Sequence, residues 1–194
     1  MKKTIVFDEK KPFLTTQSLH SKKIHPYQLK QLMENQLIVK VKQGVYKWNG
    51  LEQEPDEWVE VAHIVPQGVL CLLSAAVYYE LTTFVPAQYQ IAIPRKKKVT
   101  LPEYPPIQLF YWSDTHYQIG NQFVMIDNYS LKIYDIEKTV CDIIKYRMKI
   151  GFDTCKEIVR NYLHREDRNL VKISEYAHQM NLAGIVTNII KILL

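Results

Sequence analysis

The stretch Thr15–Trp48, TTQSLHSKKIHPYQLKQLMENQLIVKVKQGVYKW, reads as a short helix, a corner, a longer helix and a two-stranded ribbon without a break. Thr15-Thr16 supply capping hydroxyls ahead of Gln17, Ser18, Leu19 and His20, and Ser21-Lys22-Lys23 form the corner into Ile24. Pro26 stands where a first helical turn tolerates a missing N–H, with His25 next to the capping position. Leu29, Leu32 and Met33 recur at the i, i+3, i+4 spacing of a buried stripe, which turns Tyr27, Gln28, Lys30, Gln31 and Glu34 outward. The helix is predicted to stop at Asn35, a residue that tolerates the left-handed conformation, with Leu37 folded back beneath it. Leu37–Lys42 is β-branched and alternating, Gln43-Gly44 turns the chain, and Val45–Trp48 returns. That order of elements predicts a winged helix-turn-helix whose first helix braces the second.

Charge indicates what this stretch touches. Residues 1–50 hold ten lysines against Asp8, Glu9 and Glu34, a balance of +7 that exceeds the +5 of the whole chain. A local excess of this kind is the electrostatic footprint of a nucleic-acid partner, although a lysine-rich solvated hairpin has the same composition. In a helix-turn-helix the second helix enters the major groove and the wing grips the backbone. Gln28 and Gln31 suit adenine, Lys30 suits guanine or phosphate, and each good pairing discriminates by about 1–3 kcal/mol. Tyr27 stands at the start of the same helix, where packing on the first helix competes with a role at the groove. Lys40 and Lys42 lie two apart on a strand and are expected to share one face, beside Gln43 and a glycine turn, with Lys47 on the return strand.

The chain has 194 residues, 47% of them hydrophobic, enough to bury a core. Within Met1–Lys11 only Ile5-Val6-Phe7 is apolar, too short for a signal peptide. No later stretch approaches the roughly 20 apolar residues of a membrane span, so a cytoplasmic protein with no membrane partner is expected. Cys71, Cys141 and Cys155 are odd in number and match no zinc or redox spacing, which predicts reduced core thiols. Gly50–Glu60 reverses the charge with Glu52, Glu54, Asp56, Glu57 and Glu60 and no basic residue, so 51–60 reads as an acidic linker broken by Pro55.

From Ala62 the pattern is mixed. Ser74 is placed to cap a mostly buried helix running to Leu81, and strands are predicted at Tyr89–Ile93, Ile107–Trp112, Gln122–Ile126 and Tyr129–Ile133. The last third is helical. Ile136, Val140, Cys141, Ile143, Ile144 and Met148 trace one apolar face. Cys155, Ile158, Val159, Tyr162 and Leu163 trace a second after Asp153 as cap, and Leu170, Ile173, Ala177 and Met180 a third. The fourth is expected to turn Ile185, Ile189 and Ile192 or Leu193 inward after a break at Gly184. A second, C-terminal basic face is a candidate: Arg95, Lys96 and Lys97 in the loop after the first of these strands, and Lys145, Lys149, Lys156 and Arg160 on helix surfaces. Interleaved Asp142, Glu157 and Glu166 equally suit an ordinary solvated surface.

Glu137, Lys138 and Asp142 invite comparison with a metal-dependent nuclease of the PD-(D/E)xK kind, which needs two acids and a lysine converging on a metal at a sheet edge. Glu137 and Lys138 are adjacent and so point apart, whereas Lys138 and Asp142 are i, i+4 neighbours on a helix and form an ion pair. No Ser-His-Asp order, Walker loop or histidine cluster stands in the chain, and its six glycines build no evident phosphate cradle. No catalytic residue, metal site or cofactor is expected.

Four segments stand together in order: Leu37-Ile38-Val39-Lys40-Val41-Lys42-Gln43-Gly44-Val45-Tyr46, then Leu73-Ser74-Ala75-Ala76 with Leu81, then Ile91-Ala92-Ile93-Pro94-Arg95, and the most specific, Tyr134-Asp135-Ile136-Glu137-Lys138-Thr139-Val140-Cys141-Asp142, with Tyr146 and Arg147. Together they resemble the AbiEi-type antitoxins of abortive-infection, or type IV, toxin-antitoxin systems. The resemblance spans nearly the whole chain; where the family usually has a glycine between helix and wing, this chain has Asn35-Gln36. It implies a transcriptional repressor of its own operon, bound to double-stranded promoter DNA at inverted repeats. It further implies an antitoxin against a co-encoded nucleotidyltransferase toxin, acting through its C-terminal domain without a stable complex. The expected fold is α+β: a winged helix-turn-helix over 1–50, the linker over 51–60, and a mixed α/β domain over 61–194 with a small sheet and a helical last third. The rival readings are a nuclease-like enzyme that uses the winged helix for targeting, and a promoter regulator with a ligand-sensing second domain.

Overall fold

The computed structural model describes residues 12–193 and is of the α+β class. The apolar run Ile5-Val6-Phe7, expected to be too short for a signal peptide, lies outside the described residues. The chain divides into two compact units: the first runs to Pro66 and takes in Val99–Pro105, and the second comprises Gln67–Lys98 and the chain from Pro106 onward. The boundary therefore falls later than the expected linker.

In the first unit, β1 (Phe13–Thr15) leads into α1 (Thr16–Ser21) and α2 (Pro26–Glu34), followed by the hairpin of β2 (Ile38–Lys42) and β3 (Val45–Trp48). The sheet order is β1-β3-β2, antiparallel throughout. Thr15 and Ser18 form a reciprocal capping box at the start of α1. Both helices end in the same way: Lys23 and Gln36, each with φ near 56°, take the left-handed position, and the N–H groups of Ile24 and Leu37 reach back to the carbonyls of Leu19 and Leu32. The left-handed residue is thus Gln36 rather than Asn35. Leu37 stays exposed while Ile38 enters the core with Leu14, Leu19, Leu32 and Tyr46. Gly44 (φ 81°) is required because its carbonyl accepts the Thr16 N–H at 3.0 Å and a Cβ there would lie 2.8 Å from Thr16 Oγ1.

The acidic segment is not a free linker. Asp56 caps α3 (Glu57–Ile64), whose Val59, Val61 and Ile64 are buried, and His63 stacks on Phe13 of β1 with ring centroids 4.2 Å apart. Two acids of the segment, Glu54 and Glu60, are ion-pair partners for Lys47 of the hairpin, a role that charge composition alone does not distinguish from solvation.

The second unit contains β4 (Val69–Leu70), α4 (Leu72–Tyr78), β5 (Tyr89–Pro94), β6 (Ile107–Trp112), α5 (Asp114–Gln118), β7 (Asn121–Ile126) and β8 (Tyr129–Tyr134). Four helices follow: α6 (Ile136–Ile150), α7 (Phe152–Leu163), α8 (Leu170–Gln179) and α9 (Ala183–Leu193). The mixed sheet has the order β6-β5-β4-β8-β7. All four predicted strands are present, and β4, too short to announce itself, bridges the two pairs. Ser74 lies inside α4 rather than at its cap. Its hydroxyl accepts the Gln90 N–H while the Gln90 side chain accepts the Leu73 N–H, both at 2.8 Å. The core joins Val69, Ala92, Trp112 and Tyr134 to the buried faces of α4, α6, α7 and α8. On α9 Ile189 and Leu193 pack against the core as expected, but the fully buried residue is Val186, and Ile185 and Ile192 face outward, so only part of the predicted stripe is turned inward. Cys71, Cys141 and Cys155 are free and buried; burial pushes Cys141 up to about 12 and Cys155 up to about 11, keeping both as thiols. No helix among the described residues is long and apolar enough to cross a membrane.

Candidate nucleic-acid interface

The helix α2 presents Tyr27, Lys30 and Gln31 on its outer side, Tyr27 with 64% of its surface exposed and its ring stacked 6.3 Å from that of His25. Lys30 makes only a long surface pair with Glu34 at 3.7 Å, a contact of little energetic weight. Gln28 departs from expectation. Its side-chain oxygen accepts the His25 N–H at 2.9 Å and closes the first turn of the helix, so its amide is engaged in capping rather than presented to a base.

The hairpin departs further. The ladder is irregular between Lys40 and Lys42: Lys40 stands opposite Tyr46 and Lys42 opposite Val45. Neighbouring residues on β3 point to opposite faces, so the bulge puts the two lysines on opposite faces instead of one. Lys40 remains exposed, as does Gln43 at the turn. Lys42 folds inward and donates to the Ile64 carbonyl at 2.6 Å, and burial draws its ammonium below its usual range. Lys47 is held by Glu54 at 3.0 Å and Glu60 at 3.1 Å. Burial alone lowers it, but the two carboxylates outweigh this and raise it overall. Neither Lys42 nor Lys47 is a free phosphate contact. Lys22 and Lys23, in the corner between α1 and α2, are exposed; the sequence assigned them to the corner and not to the interface, and two adjacent lysines at a helix-turn-helix corner were the available signal.

The candidate basic face of the second unit is likewise divided. Arg95, Lys96 and Lys97 are exposed in the turn after β5. Lys145 Nζ contacts His116 Nε2 at 3.1 Å, and burial lowers it although Asp142 pulls the other way. Lys149 sits over the Tyr146 ring and Lys156 between Asp153 and the Phe152 ring, while Arg160 is exposed.

The densest polar constellation lies at the start of α6. Asp135 caps the helix through the Lys138 N–H, and its other oxygen accepts from Tyr176 at 2.7 Å and pairs with Lys172 at 3.1 Å. Lys172 also pairs with Glu137 at 3.1 Å, and Glu137 accepts from the Tyr162 hydroxyl. Lys138 is paired with Asp142, as the helical spacing predicted, with its Nζ 4.2 Å from the Trp112 ring centre and 4.5 Å from that of Tyr134. Asp142 Oδ1 faces His116 Nε2 at 3.4 Å without a hydrogen bond. These groups tie α8 and α5 to α6. Among the described residues no group of three or more His, Cys, Asp or Glu is placed to hold a metal ion.

The fold has a counterpart among solved structures. The RV2827C protein from Mycobacterium tuberculosis is similar over 93% of this chain and 76% of that one, with a TM-score of 0.51 and 11% sequence identity. At that identity the likeness concerns the fold alone. No protein-family model and no curated protein matches the chain.

Proposed function

We propose that the first unit is a winged helix-turn-helix and that the protein is a DNA-binding autorepressor and antitoxin of the AbiEi type, working in the cytoplasm by binding rather than catalysis. The observation that carries the reading is the outer side of α2: Tyr27, Lys30 and Gln31 are uncovered next to a ribbon that keeps Lys40 exposed. In this reading Gln31 and Lys30 reach base edges in the major groove, while Lys40, Gln43 and the corner lysines Lys22 and Lys23 hold phosphates. The partner is double-stranded promoter DNA with inverted repeats, and the counteracted toxin is a nucleotidyltransferase encoded beside it. The Glu-Lys-Thr-x-x-Asp segment supports the antitoxin half only by resemblance, since its charged side chains serve to join helices.

Gel-shift titration against the chain's own promoter and a scrambled duplex of equal length tests the DNA half. Preference for the promoter, falling with salt, is expected; equal binding to both removes the repressor role. Co-expression with a neighbouring nucleotidyltransferase tests the other half: growth restored by the second unit is expected, and no rescue by the intact chain removes the antitoxin role.

A further inference from the structure

The five-stranded sheet ends at β7, whose sequence NQFVMI has no charge and no proline. Folded proteins usually blunt such an edge with lysine, proline or a covering element, because its unpaired N–H and C=O groups template another strand. Phe123 and Met125, two apart and on one face, are 66% and 64% exposed. The pairing with β8 is regular from Asn121↔Tyr134 to Ile126↔Tyr129, and Asp127 and Asn128 close it with φ of 47° and 64°, as a two-residue type I′ turn requires. Alternate residues of an antiparallel ladder exchange hydrogen bonds with their partners. The Asp135 N–H donates to the Gly120 carbonyl at 2.7 Å, one rung before Asn121↔Tyr134, so the bonded rungs of β7 fall on Gln122, Val124 and Ile126. The backbone groups of Asn121, Phe123 and Met125 therefore point away from β8. No strand among the described residues pairs with them.

We propose that this edge pairs with the same edge of a second copy of the chain, antiparallel about a two-fold axis through Val124, joining two sheets into one. In that register Phe123 of each copy stands opposite Met125 of the other, each such rung exchanges two backbone hydrogen bonds, and each ring meets a thioether. The match is reciprocal, as an isologous contact requires. A second copy is the occupant that the chemistry favours, because an uncharged strand meets itself without repulsion. Lys132, whose Nζ lies 5.8 Å from the Phe123 ring centre, stands on β8, one strand back from the edge, so no charged side chain of β7 itself meets its copy across the axis. The pairing is independent of what the first unit binds. A single strand edge makes it a weak, concentration-dependent association.

Sedimentation equilibrium of the 194-residue chain over rising concentration is expected to show a monomer–dimer equilibrium. Phe123→Lys with Met125→Lys changes two exposed side chains, with the fold checked by circular dichroism, and should raise the dimer dissociation constant at least about tenfold by placing like charges on both rungs. Phe123→Glu with Met125→Lys places opposite charges on the same rungs and should restore association relative to the double-lysine variant. A wild type that stays monomeric overturns the proposal, as does a double-lysine variant that dimerises as well as wild type. Dimers broken equally by both pairs of substitutions overturn the Val124 axis. Hydrogen-exchange protection of the Phe123 and Met125 amides in a monomer reveals another occupant and equally overturns it.

Discussion

Lys138 Nζ lies 2.5 Å from Asp142 Oδ2, one helical turn along α6, and both side chains are wholly buried beside the rings of Trp112 and Tyr134. Removing one partner strands the other charge away from water. Asp142→Ala is expected to cost about 3–5 kcal/mol in urea unfolding, whereas Lys138→Met combined with Asp142→Leu should recover most of that loss. A single substitution as mild as the double one would mean that the pair is hydrated.

Gly120 has a φ of 70°, and a Cβ there would lie 2.6 Å from Lys138 Cβ and 3.1 Å from Asp135 Oδ1. Gly120→Ala therefore meets both backbone strain and overlap with the first turn of α6. A loss of at least about 2 kcal/mol is expected from chemical denaturation. An unchanged midpoint would contradict this close approach.

His63 is held below the ordinary 6.5 of an imidazole by burial against Phe13, which outweighs its bond to the Val59 carbonyl at 2.8 Å and the field of Glu60. A depressed folded value means that the unfolded chain binds the proton more readily. The histidine's contribution is thus complete above pH 6.5 and is lost as pH falls from 6.5 through the folded value. Thermal melts should show the protein weakening across that window, and His63→Phe, which keeps the stack, should flatten the fall. A variant with the same pH profile as wild type would assign the effect elsewhere.

Under the DNA binding proposed for the first unit, the three lysines of the hairpin should separate in salt titrations. Lys40→Ala is expected to shallow the dependence on salt by about one phosphate. Lys42→Ala and Lys47→Ala should instead lower stability, because they remove the bond to Ile64 and the pairs with Glu54 and Glu60. Equal changes in salt slope for all three would restore the one-faced ribbon.

The two glutamines of α2 should separate as well. Gln31→Ala is expected to cost about 1–3 kcal/mol of discrimination between promoter and scrambled DNA. Gln28→Ala should act on helix stability, by about 1 kcal/mol, and weaken all sequences alike. The pattern is read from competition binding together with thermal melts.

Patterning that repeats along the chain was legible without coordinates. The stripe of Leu29, Leu32 and Met33, the four long strands of the second unit, most of the buried faces of α6 to α8 and the Lys138–Asp142 pair all depend on residues a few positions apart, so period and spacing report them directly; Met148 and Leu170, placed on those faces by spacing, lie at helix ends and are exposed. The α+β class follows from the same signals. Tertiary structure decided which charged side chains remain exposed. Lys40 and Lys42 share a charge and a strand, and a single extra residue in the ladder sends one to the surface and the other to the Ile64 carbonyl. Glu54 and Glu60 read as part of a solvated linker until α3 brings them to Lys47, and Gln28 reads as an outward amide until it closes its own helix. Partner choice for a long polar side chain is set by what the fold places within a few ångströms of its tip, and that distance is not encoded in the local pattern.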